Sequence, residues 1–334
     1  MKAFLFCISF FVTQCMFSSI KEIYCYNLPF DTITFKDIII EQKPYIEIIC
    51  DSTIHDGIIV EAYNEINEMI FKKSINNFSE ASTKSLIKDN LYSYFFDVQY
   101  LNELPKKIIV KDINNLSILK TADCKYINIR GKVNCASTYT KLYLNFFPNG
   151  FNDPDLFQQT SPDGSFSIMM PQRKYNCLHA IADTYGQQTL ENWVTNFDGR
   201  TDTISINFDI HNAEIYNLHA WENNGGGNSL FISFRPMCLQ PPSSNETIIG
   251  NDVFSEMNFN IPLEKENITV RIDGKEMNII SVQPFYETGV ENRALKSYIV
   301  QIDYDKRFRN KLLSVEFNYN DFRGESRYIL KFLE

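Results

Sequence analysis

A chain of 334 residues with 44% hydrophobic and 14% aromatic content has length for two or three domains and enough apolar side chains to bury their cores, which excludes wholesale disorder. Its net charge of −9, with no long basic face, excludes nucleic acid as a partner, because phosphate neutralisation needs clustered Lys and Arg. The acidic balance is accounted for by solubility.

Met1-Lys2 and the apolar run up to Phe17 form the charged n-region and h-region of a signal peptide. The run is short of the ~20 apolar residues that a membrane span needs. Residues 1–20 are therefore expected to be cleaved on export, an uncleaved anchor being the alternative. No later stretch is long and apolar enough to enter a bilayer, so no membrane insertion is expected after cleavage. The expected location is secreted or on the extracellular surface, or periplasmic in a bacterium. Cys25, Cys50, Cys124, Cys135, Cys177 and Cys238 lie beyond the signal, and an even number in an oxidising compartment predicts disulfides. Cys25 with Cys50, and at least one bridge inside the middle domain, are the favoured pairings, with buried free thiols as the alternative. No CxxC spacing indicates zinc or thioredoxin-like chemistry.

A first β-sandwich is expected over 21–120. Residues 32–35, 38–40, 45–50, 58–63, 91–100 and 106–113 are β-branched and aromatic runs at sandwich spacing, with a turn at His55-Asp56-Gly57. Residues 64–88 hold a short helix or a long loop. A second sandwich is expected over 121–239, with strands over 126–133, 141–147, 165–170, 175–182, 203–208 and 230–234. In the last but one, Ile204, Ile206 and Phe208 alternate with polar residues and should face a core. Asp163-Gly164 supplies a tight turn. Gln240-Pro241-Pro242-Ser243-Ser244-Asn245 is a linker signal, because paired prolines cannot continue a central strand. A third, immunoglobulin-like or fibronectin-like sandwich is expected over 240–334, with a hairpin turning at Asp273-Gly274.

Gly131-Lys132-Val133, then Asp163-Gly164-Ser165-Phe166, then Pro171, Tyr175 and Ala180-Ile181-Ala182 resemble the transthyretin-like fold of carboxypeptidase regulatory-like domains. The resemblance covers about a fifth of the chain and implies a seven-stranded, non-catalytic accessory or adhesive module. Ser137-Thr138-Tyr139-Thr140 departs from the small-residue run usual before the second strand, and the stretch after Ala213 has no counterpart. The fold class expected for the whole chain is all-β, as tandem β-sandwich domains of immunoglobulin-like or transthyretin-like form after the signal peptide.

The chemistry-bearing residues are sparse. His179, His211 and His219 with Asp183, Asp209, Glu214 and Glu222 match no closed zinc pattern, and a hydrogen-bonded core or edge histidine is the simpler reading. Asp153, Asp155 and Asp163 suggest turn chemistry more than calcium. No G-x-S-x-G elbow is present. No catalytic residue, metal or cofactor is therefore expected. The candidate ligand-binding residues are Trp221, Tyr216, Glu222, Asn223 and Asn224, an aromatic platform with amide and carboxylate groups beside Gly225-Gly226-Gly227. Trp193 is a second aromatic candidate, and a core position is the competing reading for both tryptophans. The expected function is non-enzymatic binding or assembly with a protein or carbohydrate partner at the cell surface. A carbohydrate-binding module and an enzyme with a cryptic metal site are the alternatives.

Overall fold

The computed structural model describes residues 20–331, apart from the short segments 29–30, 36–37, 52–56, 89–90, 136–140, 151–152, 155, 200–202, 224–226, 240–244, 257–260 and 291–292. Residues 1–19 of the expected signal segment, the turn at His55-Asp56, Asn152, Asp155, Asn224, Gly225 and Gly226 and most of the proline-rich stretch lie outside the described residues. The architecture is all-β, in tandem sandwiches, with three short 3-10 turns at Phe78–Glu80, Lys265–Asn267 and Lys306–Phe308.

The first sandwich contains β1 (Ile20–Tyr26), β2 (Asp31–Phe35), β3 (Ile38–Gln42), β4 (Tyr45–Cys50), β5 (Ile58–Tyr63), β6 (Met69–Ile75), β7 (Thr83–Lys88), β8 (Leu91–Asp97), β9 (Lys107–Asp112) and β10 (Ile118–Asp123). One sheet runs β1-β4-β8-β7 and the other β10-β9-β5-β6. Ile48, Phe96, Val60 and Val110 meet between them, buried. The stretch 64–88 is strand, 3-10 turn and strand rather than a helix or a long loop. The β2–β3 hairpin leaves this body, and its Ile33, Phe35 and Ile40 pack on Tyr143, Phe157 and Ile181 of the second sandwich.

The second sandwich contains β11 (Tyr126–Cys135), β12 (Leu142–Phe147), β13 (Leu156–Gln159), β14 (Ser165–Pro171), β15 (Lys174–Ala182), β16 (Asn192–Asp198) and β17 (Thr203–Ile210). Sheet β14-β11-β17 faces β13-β12-β15-β16. Ile206 and Phe208 are buried and Ile204 packs on the same core, so the alternation in β17 points inward as expected. Gly164 takes a positive φ of 81° in the turn after Asp163, whose carboxylate accepts from the Ser165 backbone N–H and hydroxyl. Gly131 meets a different demand. It pairs in parallel with Ile206, and a Cβ there would stand 1.7 Å from the Ile206 carbonyl oxygen. Gly131→Ala should therefore force β11 off β17 and cost about 2–4 kcal/mol. Urea denaturation checks this, and a cost near zero would mean that the two backbones are not so close.

The third sandwich contains β18 (Ala213–Glu222), β19 (Ser229–Cys238), β20 (Asn245–Ile249), β21 (Asp252–Glu256), β22 (Ile268–Ile272), β23 (Lys275–Glu276), β24 (Ile279–Val290), β25 (Arg293–Asp303), β26 (Leu312–Tyr319) and β27 (Phe322–Ile329). The sheet β18-β19-β25-β21-β20, with β24 also on β25, covers β27-β26-β22-β23. The turn between β22 and β23 is Asp273-Gly274, both at positive φ, as the hairpin signal predicts.

Two sequence expectations need correction. Residues 213–239 belong to the third core, not the second: β19 pairs with β25, and Ile215, Leu230 and Ile232 pack with Val300 and Val315. The core thus forms across the proline-rich stretch, which connects two strands of one sheet rather than two domains. The favoured Cys25–Cys50 pairing is not met, because Cys25 does not face Cys50. In the β1–β4 register Cys25 lies opposite Ile46, and Cys50 opposite Ile20. Four residues at about 3.4 Å each separate them by about 14 Å, twice what a disulfide spans. Nor does a bridge join Cys124, Cys135 and Cys177 to one another.

The sandwiches are joined differently. The first and second meet around a buried ion pair, Glu47 of β4 with Arg173 of the β14–β15 turn. The second and third share a sheet: β16 pairs in parallel with β27, Trp193 opposite Ser326 and Thr195 opposite Tyr328.

Candidate functional site

Where β16 runs beside β27, β18 crosses over them and leaves a cavity of about 370 Å³. Its lining mixes aromatic groups (Trp193, Tyr216, Tyr328) with amides (Asn176, Asn196, Asn217) and with Lys174 and His219. Among the described residues no Asp or Glu lines it, although the whole chain carries a net charge of −9. The walls are held by backbone-directed bonds. Thr195 Oγ1 donates to the Leu218 carbonyl at 3.1 Å, Asn196 Nδ2 to the Ile329 carbonyl at 2.7 Å and Ser326 Oγ to the Trp193 carbonyl at 3.0 Å.

Backbone strain marks the same place. Of the non-glycine residues at positive φ among the described residues, Asn67, Leu116, Asp273, Asn310 and Asn320 are in turns or loops. Asn196 (φ 53°) and Asn217 (φ 54°) interrupt strands, and both line the cavity. Asn217 sits in the register shift between Tyr216 and His219, a bulge that re-aims β18. Asn tolerates this conformation better than most residues, and strain of this kind gathers at ligand sites.

An aromatic ladder leads out of the cavity. Tyr328 meets His219 edge-on at 5.7 Å, His219 stacks on Trp221 at 6.0 Å and 25°, and Trp221 stacks on Phe231 at 5.7 Å and 18°. His219 and Trp221 share the outer face of β18 because side chains alternate along a strand, and Trp221 is 36% exposed. Deeper in, Tyr216 lies under the Arg235 guanidinium at 4.8 Å and edge-on to Trp193 at 5.7 Å.

Beneath the cavity floor lies a buried acid cluster. Glu214 of β18 is 1% exposed, and its Oε2 accepts the Glu191 backbone N–H at 3.0 Å. Burial first, and then the neighbouring Glu191 carboxylate, push Glu214 up to about 8. His179 Nδ1 is 3.4 Å from Glu191 Oε1, and its ring packs at 4.4 Å on Trp193. Burial pushes the adjacent Cys177 thiol up to about 12, which leaves it protonated and a poor nucleophile.

The structure separates the sequence candidates. Tyr216 lines the cavity and Trp221 stands on the ladder at its mouth. Glu222 instead binds Arg309, whose Nε donates to Oε1 at 2.7 Å, and that guanidinium lowers its carboxyl's pKa. The Asn223 backbone closes the hairpin by donating to the Ser229 carbonyl at 3.0 Å, and Asn223 does not line the cavity. Asn224 lies outside the described residues. Trp193 is a buried floor residue. Lys174, Asn196, Asn217 and Tyr328 had no sequence signal, since each is brought in by a different strand.

The histidines do not converge. His179 is in the buried cluster, His211 lies beside Arg323 in a separate surface depression, and His219 is on the ladder with Nδ1 3.4 Å from the Tyr328 hydroxyl. Burial, then Arg323, lower the pKa of His211. Among the described residues no three His, Cys, Asp or Glu side chains are grouped as a metal ion requires. Asp153 accepts from the Asn149 and Gly150 backbone N–H groups, and so caps its own turn.

No family model matches the chain, and no curated protein matches it in sequence. Among solved structures the chain is similar to a three-domain immunoglobulin fragment of titin, I67–I69, in an E-to-A variant, at 8% identity over 88% of this chain and 94% of that one, with a TM-score of 0.20. A second I67–I69 fragment from the titin I-band gives 8% identity, the same coverages and a TM-score of 0.19. The Dpr2 Ig1-Ig2 complex with DIP-Theta Ig1-Ig3 gives 7% identity over 88% of this chain and 95% of that one, with a TM-score of 0.14. With superpositions this loose, the tandem-sandwich description rests on the sheets themselves.

Proposed function

We propose that this chain is a secreted or cell-surface, non-enzymatic binding protein whose ligand enters the cavity between the second and third sandwiches. The observation that carries this is the convergence of strain, aromatic surface and nitrogen-bearing side chains at one concave place: Asn196 and Asn217 at positive φ, the ladder to Trp221, and Lys174 with His219 in the lining. In this reading the middle sandwich is a transthyretin-like accessory module, which Gly131 and the Asp163-Gly164 turn support.

A protein segment is the first choice of ligand. A carbohydrate is the second, favoured by the exposed face of Trp221 beside amide groups. The purified chain would be screened against arrays of extracellular protein domains and of glycans. Trp221→Ala and Lys174→Glu are each expected to weaken the specific ligand tenfold or more, about 1.4 kcal/mol. If every ligand found binds both variants as tightly as the parent, the cavity is not the site.

A further inference from the structure

We propose that Cys25 and Cys124 are joined by a disulfide that closes one edge of the first sandwich. β1 and β10 are edge strands of its two facing sheets. Cys25 is in β1, buried, and Cys124 follows β10 directly, its N–H donating to the Lys106 carbonyl. Both cysteines line one small cavity of about 100 Å³, together with Tyr126, whose hydroxyl lies against both thiols. That hydroxyl is buried and has no other hydrogen-bond partner among the described residues. The remaining cysteines are elsewhere: Cys50 is at the far end of the β1–β4 pairing, Cys135 and Cys177 are in the second sandwich and Cys238 is in the third.

The bond would enclose nearly the whole first sandwich and tie its first strand to the start of β11. It forms by thiol–disulfide exchange with a small-molecule disulfide such as oxidised glutathione. One cysteine thiolate attacks a glutathione sulfur and releases one glutathione thiolate. The other then attacks the mixed disulfide and releases the second. The two cysteines lose two protons and two electrons, and the oxidant leaves as two thiols. Burial pushes both thiols up to about 12 in the folded chain, so exchange belongs to the folding stage, before the core closes.

The full chain would be unfolded, reduced and refolded in a mixture of reduced and oxidised glutathione. Free thiols are then alkylated under denaturing, non-reducing conditions, and the digest is mapped by mass spectrometry. The expected result is one linked peptide pair holding Cys25 and Cys124, with Cys50, Cys135, Cys177 and Cys238 alkylated. Cys50→Ser should leave that linkage unchanged, and Cys25→Ser should leave Cys124 without an intramolecular partner. Alkylation of both Cys25 and Cys124 in the refolded parent, or linkage of either to another cysteine, would overturn the proposal.

Discussion

Arg173→Met is expected to destabilise the protein by about 3–5 kcal/mol, because it leaves a buried carboxylate without its cation. Glu47 is fully buried, and the Arg173 guanidinium lies against it. The remaining contacts come from both sides of the junction. Tyr26 and Ser93 of the first sandwich donate to Glu47 at 2.7 and 2.6 Å, and Asn149 of the second donates to it at 2.8 Å. Arg173 also donates to Tyr26 Oη at 2.9 Å and to Asn149 Oδ1 at 2.7 Å, and lies 4.3 Å over the Tyr24 ring. The charge pair therefore sets how the first two sandwiches meet, and Met would keep the volume while removing the donors. Urea denaturation measures the loss. The double variant Glu47→Gln with Arg173→Met should recover much of it, since no unpaired charge remains. A single variant within about 0.5 kcal/mol of the parent would show that the pair is not buried as described.

Raising the pH should cost stability through Glu214. The folded carboxyl holds its proton up to about 8, against an ordinary value of 4.5. Between those values the unfolded chain binds fewer protons than the folded one, so stability is full below the lower value and falls as pH rises through the upper. One group contributes a slope of at most about 1.4 kcal/mol per pH unit. The groups facing Glu214 are Glu191, which shares the desolvated site, the Trp193 indole and Arg235. Behind Glu191 stands His179. Glu214→Gln keeps an acceptor for the Glu191 N–H and removes the titration. The difference in stability between parent and variant, measured in urea from pH 5 to pH 8, should change steadily in the variant's favour. A difference that stays constant with pH would mean that Glu214 titrates normally.

What local chemistry can specify was legible in the residues. Ile206 and Phe208 alternate because one face of β17 is buried, and a period of two shows that directly. The turns at Asp163-Gly164 and Asp273-Gly274 follow from the need for positive φ. Trp221 and Tyr216 stood out as aromatic groups in a polar stretch, and both are at the cavity. Glu222 stood out on the same grounds, yet its partner Arg309 is 87 residues away, and no local signal reveals such a pairing.

Long-range pairing was decided only in three dimensions. The prolines at 241–242 break a strand wherever they occur, but whether they divide domains depends on where the flanking strands find partners. Here β19 joins β25, so the break falls inside one sandwich. Which cysteines lie near one another follows register and sheet edge rather than spacing, which sets Cys25 beside Cys124 and away from Cys50. The cavity is the extreme case, because Lys174, Asn196, Asn217 and Tyr328 come from four strands brought together by the β15–β16 pairing, the parallel β16–β27 contact and the bulge in β18. The sequence by itself determined strand identity, turn chemistry and which faces are apolar, since these depend on neighbours within a few residues. The tertiary structure alone decided which strands share a sheet and which side chains converge, since that depends on burial between residues distant in the chain.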